Sequence, residues 1–337
     1  MLLLNPLIKY IISRFASYIT TIFISFTFIF LLLKAMPTSI VEAIIASMTS
    51  LGMVYDPQGL IMLRESLYEI FGLKGSLWDQ YITFLRRFLT LDFGPSTISF
   101  PTPAKELVYR QLPWTLGLLS TTTVLSWLIG NMLGALASFK RESRVSKVLR
   151  SVAVTLYPIP YYIMALVLVY LLAYLVPLFP IVGGGVSTEK ITLNTILEIV
   201  YRSALPALSI MIPSMLGWWF LSSSTLTLTV MSEDYYIYGE LRGLPRSRIF
   251  QRYILRNILL PQTTALALAL GGIFGGALLT EAIFAYPGLG QLLYRAVGMG
   301  DYATAMSILS LSIIGIATAT LIIDIIYPFI DPRVRYR

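Results

Sequence analysis

Cysteine and histidine are both missing from this 337-residue chain. Their absence excludes disulfide frameworks, thiol nucleophiles and the imidazole sites that most often hold metals or move protons. Charge is scarce as well: charged residues make up 12% of the sequence, about half of the ~25% found in soluble domains. What is abundant is apolar, 56% of the chain. The apolar residues lie in long uncharged runs with the charges clustered between them, the pattern of a multi-span helical membrane protein. A net charge of +8 without any nucleic-acid-binding motif reads as loop charge that orients membrane helices, and nucleic acid is not an expected partner.

A helix needs about 20 apolar residues to cross a ~30 Å hydrocarbon core. Six runs qualify: Phe15–Leu33, Leu112–Phe139, Ser151–Pro177, Ser203–Val230, Asn257–Thr280 and Tyr302–Ile323. The first is too long for a signal-peptide core, and Lys34-Ala35-Met36-Pro37 follows it in place of a cleavage site, so it reads as a retained span. In lipid the backbone must satisfy its own hydrogen bonds, which makes these runs helices. The expected fold is all-α and polytopic, with six transmembrane helices.

Basic residues fall mainly on one side of these spans: Lys9 and Arg14, then Lys140 to Arg150, Arg242 to Arg256, and Arg333, Arg335 and Arg337. The short loops opposite hold only Lys190, Arg202 and Arg295. The positive-inside rule therefore places both termini in the cytoplasm. The resulting division is residues 1–36 for the N-terminus and first span, 37–111 for a small helical extracytoplasmic cap, 112–330 for a five-helix core and 331–337 for a cytoplasmic tail. Within the cap, Leu60–Phe71 and Leu77–Leu89 carry apolar residues at helical spacing.

Prolines inside runs mark kinks, hinges or lining elements: Pro158 and Pro160 in the third span, Pro213 in the fourth. The ionisable residues nearest to membrane depth are Glu281 and Asp324. Glu281 precedes a Tyr286-Pro287-Gly288 turn, which it caps or beside which it lines an outer gate. Asp324 lies near the inner end of the last span, where a cytoplasmic arginine is its expected partner. Gly271, Gly272, Gly275 and Gly276 supply small-xxx-small spacing for close helix packing. Between spans four and five, residues 231–258 read as a short amphipathic helix, a break at Gly243-Leu244-Pro245, and a second helix leading into the membrane. Arg248, Arg252 and Arg256 at i, i+4 and i+8 form one face of that second helix, as a stripe snorkelling to lipid headgroups or as a partner contact. No nucleophile–base constellation is present, so no catalytic residue is expected, no metal site either, and there is no Gly-x-x-x-x-Gly-Lys-Ser/Thr loop for ATP.

Several stretches together resemble a known family. Asp234-Tyr235, Gly243-Leu244-Pro245, Tyr253 to Asn257 and Leu260-Pro261 are similar to the cytoplasmic loop of binding-protein-dependent ABC importer permeases. The dipeptide/oligopeptide branch, B-type subunit, is the nearest match. Lys9-Tyr10-Ile11 with Arg14, Leu91-Asp92-Phe93-Gly94, Leu178-Phe179-Pro180 with Gly183-Gly184-Gly185, Asp301-Tyr302 and Asp331-Pro332-Arg333 resemble further landmarks of that branch, in order. So does the series Glu281, Phe284, Pro287, Gly288 and Gly290. One departure is an acid, Glu240, where the family commonly has arginine; Pro37-Thr38-Ser39 also lacks a usual motif after the first span.

The resemblance implies a type I importer permease fold in the plasma membrane, forming half of a translocation pathway for oligopeptides or oligosaccharides. It implies a second related permease, two ATPase subunits that carry ATP and magnesium, and an external substrate-binding protein; no cofactor is expected on this chain. It makes the short helix a coupling helix, with Asp234, Tyr235, Tyr238, Gly239, Glu240, Leu241, Arg242, Gly243, Leu244, Pro245 and Arg246 as the residues that meet the ATPase. Glu281, Phe284, Pro287, Gly288 and Pro213 are the pathway or gate candidates. The competing reading is a stand-alone secondary transporter or channel, which would show inverted repeats or mid-membrane relay acids.

Overall fold

The computed structural model describes residues 6–35, 41–42, 45, 49, 57–72, 74–90, 92–184 and 192–330. Pro37-Thr38-Ser39, Leu91, Gly185, Lys190 and the tail 331–337 lie outside the described residues. Among those described there is no β-strand, only one bridge between Pro95 and Pro103. The helices are α1 (Pro6–Ala35), α2 (Pro57–Ile70), α3 (Leu77–Thr90), α4 (Ala104–Phe139), α5 (Arg144–Leu156) and α6 (Tyr161–Leu175). They continue as α7 (Leu193–Met231), α8 (Asp234–Leu241), α9 (Arg246–Gly275), α10 (Leu278–Ile283), α11 (Leu289–Gly298) and α12 (Tyr302–Ile330). The chain is an all-α polytopic membrane protein. Among the described residues, five helices are long and apolar enough to span: Ile8–Leu32 of α1, α4, α7, α9, and Tyr302–Ile326 of α12. The pair α5 and α6 makes a sixth if counted together.

That pair covers the third apolar run, Ser151–Pro177, and carries the kink expected at its prolines. Pro158 and Pro160 lack the N–H that would continue the ladder, and the chain bends by 106° between α5 and α6. The fifth span, expected over Asn257–Thr280, stops early. It tightens to a 3₁₀ turn at Ile273–Gly275, and Gly276 turns to φ +72°. Gly271 and Gly272 end a helix there, and a Cβ on Gly272 would meet open space. The cluster thus ends the helix, while Gly271 is buried and Cβ atoms on Gly275 and Gly276 would still meet Ile316 and the Gly290 backbone at 3.7 and 3.5 Å.

The chain forms two compact units. One comprises Met1–Thr115, Phe274–Leu278 and Gly288–Arg337. Its core joins α1, α3 and α12 through Phe26, Phe30, Phe84, Phe88, Phe93 and Met306. At the N-terminus of α12 the buried Asp301 accepts from the Thr304 N–H (3.1 Å), the Thr304 hydroxyl (2.8 Å), the Ile98 N–H (3.2 Å) and the Ser96 hydroxyl. One carboxylate thus caps a helix, a contribution of about 1 kcal/mol, and ties down the segment before α4. Asp324 has the arginine partner expected of it: Arg14, at 3.2 Å.

The other unit comprises Leu116–Ile273 and Leu279–Pro287. Here α4 meets α7 at a glycine pair four residues apart. A Cβ on Gly130 would lie 2.5 Å from the Met215 carbonyl oxygen, and one on Gly134 would lie 2.3 Å from that of Phe220. Only glycine permits that approach, and small residues with polar side chains are what holds helices together in lipid. Three consecutive serines of α7 supply the polar part. Ser222 accepts from Gln262 of α9 (2.7 Å), Ser223 donates to the Asn131 carbonyl of α4 (2.8 Å), and Ser224 pairs with Ser138 of α4 (2.6 Å).

Candidate functional site

The loop between α7 and α9 forms a helix, a break and a second helix, as its sequence predicts. Asp234 opens α8, where an acid favours the helix dipole. The helix ends in a Schellman motif: the Gly243 N–H donates to the Glu240 carbonyl (2.9 Å) and the Leu244 N–H to the Gly239 carbonyl (3.3 Å). Arg242 is the C-cap, and Gly243 takes φ +67° with open space where a Cβ would stand. Glycine is therefore required for its backbone and not for close approach. Pro245 precedes the first turn of α9 and Arg246 begins it, so no helical hydrogen bond is lost to the proline.

The two sides of α8 differ in kind. Tyr236 and Gly239 are buried, and Tyr236 packs with Ile249, Ile254 and Ile258 of α9 and with Leu244. A Cβ on Gly239 would lie 3.5 Å from the Tyr253 ring, and Tyr235 stacks on the same ring at 6.3 Å between centroids. On the opposite side Tyr238 and Leu241 are 65% and 77% exposed, with Ile237 exposed beside them. Glu240, the acid in an arginine position, accepts from the Tyr236 hydroxyl at 2.8 Å. Burial pushes the Tyr236 phenol up to about 12; the bond to Glu240 and its charge add to this, while Arg246 acts the other way. Beside α8 opens a cleft of about 1130 Å³, with Arg141, Glu142, Glu240 and Arg246 among its walls.

The start of α9 is π-helical over Ile249–Leu255. The buried isoleucines reveal the inserted residue: Ile249 to Ile254 is a step of five, and Ile254 to Ile258 a step of four. Arg248, Arg252 and Arg256 all stay exposed.

The pathway candidates are placed very differently. Glu281 and Phe284 have 0% exposure. Glu281 lies on the separate helix α10, not at the end of the fifth span, and its carbonyl accepts from the Tyr286 N–H at 2.8 Å. The stretch Phe284–Tyr286 is clasped by Gly183 and Gly184. The Gly183 N–H donates to the Phe284 carbonyl (2.7 Å), and Cβ atoms on Gly183 and Gly184 would stand 2.9 Å from the Tyr286 ring and the Ala285 carbonyl. Arg202 closes the clasp by donating to the Gly184 carbonyl (3.0 Å). Pro287 is half-buried, and Gly288, in the other unit, is the N-cap residue of α11.

Pro213 ends the regular part of α7; a π-helical turn follows over Ser214–Trp219. It lines an open groove of about 530 Å³ together with Pro160, Tyr161 and Trp218. Across this break a Cβ on Gly217 would lie 3.0 Å from the Tyr157 Cα. Among the described residues no three His, Cys, Asp or Glu side chains converge on a metal position.

Asp301 and the serine triplet are roles that sequence reasoning did not assign. A clue to the second was in view: Gly130-x-x-x-Gly134 and Ser222-Ser223-Ser224 stand in otherwise apolar runs. Asp301 stands in sequence as an N-cap residue one place before the run Tyr302–Ile323, but its further donors on Ser96 and Ile98 are some two hundred residues away.

Residues 130–336 match the family described as binding-protein-dependent transport system inner membrane component. The chain is 30% identical over 284 residues to the oligopeptide transport system permease protein AppB of Bacillus subtilis (strain 168), covering 84% of this chain and 89% of that protein. It is 26% identical over 328 residues to the dipeptide transport system permease protein DppB of the same organism, covering 97% and 98%. It is also 26% identical over 331 residues to the glutathione transport system permease protein GsiC of Salmonella typhi, covering 98% and 100%.

Proposed function

This chain belongs to the family of binding-protein-dependent transport system inner membrane components, and on that premise we propose that it is one permease subunit of an ATP-driven importer of short peptides. A second, related permease completes the pathway, two ATPase subunits sit against the cytoplasmic face, and an external binding protein delivers the substrate. Both termini face the cytoplasm, and the segment between α1 and α4 forms the outer cap. Peptide is the substrate class named in the relatives AppB and DppB, and glutathione, named in GsiC, is itself a small peptide.

The observation that carries the reading is the two-sided helix α8. Its exposed side offers Tyr238, Leu241 and Ile237, an aromatic and aliphatic patch of the kind that anchors a protein interface. Its other side is fixed to α9 through Tyr236 and Ile249. A push on α8 therefore moves the membrane helix behind it as a rigid body, one route by which two packed states interconvert. The Schellman turn at Gly243 and the proline after it hold the angle between the two helices.

The groove at Pro213 supports the pathway assignment. Non-helical backbone at membrane depth is tolerated only against protein or a water-filled cavity. The bend between α5 and α6 and the π turn after Pro213 meet at that groove. Glu281, Phe284 and Pro287 are assigned to the gate as a fixed turn, with Gly288 starting the next helix.

The test is transport by the complex reconstituted with its co-encoded partners. Tyr238→Ala with Leu241→Asp should lower ATP-dependent peptide uptake by more than about tenfold, the loss expected when interface anchors are removed, while the chain still folds. Undiminished uptake would sink the coupling role. Uptake of oligosaccharide but not peptide would keep the importer and overturn the substrate.

A further inference from the structure

The unit that contains α1, α3 and α12 has a pocket that the transport reading does not use. Its floor is aromatic and apolar, formed by Phe30, Phe84, Phe93 and Met306, and two cations, Lys34 and Arg87, stand in its wall. It encloses about 90 Å³, room for a small anionic group and not for a peptide. No acid lines it. Among the described residues neither cation has a carboxylate within ion-pair distance. Lys34 donates to the Gln80 side-chain carbonyl and lies 5.7 Å from the Phe30 ring centroid. Arg87 makes one long bond, 3.4 Å, to the Glu69 carbonyl. Burial lowers the proton affinity of both groups, and for Arg87 the charge of Asp92 acts against this. Arg87, half-buried without an ion-pair partner among the described residues, is the cation that an anion would relieve most.

Tyr302 and Met306 also wall a second pocket of about 280 Å³, with Ile29, Leu32, Val297 and Leu309. Lys34 stands two residues beyond the apolar run Ile8–Leu32, the depth at which lipid headgroups lie. Phe28, Leu31 and Leu32 of the same helix end are exposed. The second pocket, whose lining is apolar apart from Tyr302 and the buried Asp301 held by Ser96, Ile98 and Thr304, thus shares a wall with the cationic one.

We propose that these adjoining pockets bind one anionic phospholipid, its phosphate between Lys34 and Arg87 and an acyl chain along Ile29, Leu32 and Met306. A free anion would satisfy the cations but leave the second pocket bare, and a zwitterionic lipid would bring its own cation to the site. The bound lipid would pin α1 and α3 against α12.

The test is native mass spectrometry of the intact complex released from phosphatidylcholine nanodiscs that contain phosphatidylglycerol. One phosphatidylglycerol per copy of this chain should survive activation that strips phosphatidylcholine. With Lys34→Gln and Arg87→Gln together its affinity should fall roughly thirtyfold, the loss expected for two basic contacts to an anionic headgroup. Lys34→Arg with Arg87→Lys should retain it. Leu309→Trp, which fills the second pocket at a residue that does not line the cationic one, should also lose it; thermal unfolding in phosphatidylcholine alone reports that each variant is folded. Equal retention of the two lipids, or unchanged retention in either loss variant, would overturn the proposal. Displacement of the lipid by millimolar inorganic phosphate alone would assign the site to a free anion instead.

Discussion

Two turns in this protein each need one residue in the left-handed region, and they meet the need in different ways. After α8 the residue is Gly243, at φ +67°, with nothing within reach of a Cβ. After α10 it is Ala285, at φ +44°. A side chain in that region costs roughly 1–2 kcal/mol, so the exposed turn takes the residue that avoids the cost. The buried turn tolerates it because its neighbours leave no alternative. Gly183 holds the Phe284 carbonyl, Gly184 lies against the Ala285 carbonyl, and Phe284 itself is fully enclosed. Strain persists where the surroundings over-determine the backbone. The exposed turn is set by its own residues; the buried one is set by what packs on it.

The contrast breaks most directly at Phe284. If packing holds the buried turn, Phe284→Ala should cost about 3–5 kcal/mol, seen as a lower unfolding temperature in nanodiscs. No change there would mean that the turn is locally encoded after all. A smaller effect, of opposite sign at the two turns, comes from exchanging the left-handed residues. Gly243→Ala should destabilise by about 1–2 kcal/mol, and Ala285→Gly should stabilise by no more than about 1 kcal/mol. Two changes of the same sign would refute the comparison.

A third test concerns Tyr236, on the fixed side of α8. Its phenol is neutral when protonated, and its folded value of about 12 lies above the ordinary value near 10. The folded state therefore holds the proton longer, and the associated stability is complete below about pH 10 and is lost as pH rises through about 12. Tyrosinate absorbance of the wild type minus that of Tyr236→Phe should show one phenol ionising near 12. Ionisation near 10 would mean that water reaches the back of α8 and that its grip on α9 is loose.

Much of this was legible from residue order. Uncharged runs separated by basic clusters announced membrane helices, and Gly243-Leu244-Pro245 announced the helix, break and helix of the α8–α9 loop, because glycine and proline act through their own backbone. Asp324 drew its arginine because a carboxylate near a membrane edge needs one. The bend at Pro158 and Pro160 was visible as a proline effect but not as 106°, since the angle depends on what the two halves pack against. The π turn at Ile249–Leu255 was invisible, because one inserted residue leaves composition and apolar content unchanged and alters only the step between buried isoleucines.

By itself, then, the order of amino acids determined that this chain is helical and membrane-embedded, and that its α8–α9 loop breaks at Gly243-Leu244-Pro245. These follow from transfer free energy and local backbone sterics, which act over a few residues. Only the tertiary structure decided that Glu281 and Phe284 are enclosed, that Ser222, Ser223 and Ser224 address three different partners, and that Asp301 caps α12 while gripping Ser96. Those outcomes depend on which distant segments come together. A buried polar group takes its partner from whatever the fold brings within about 3 Å, and no local pattern names that partner in advance.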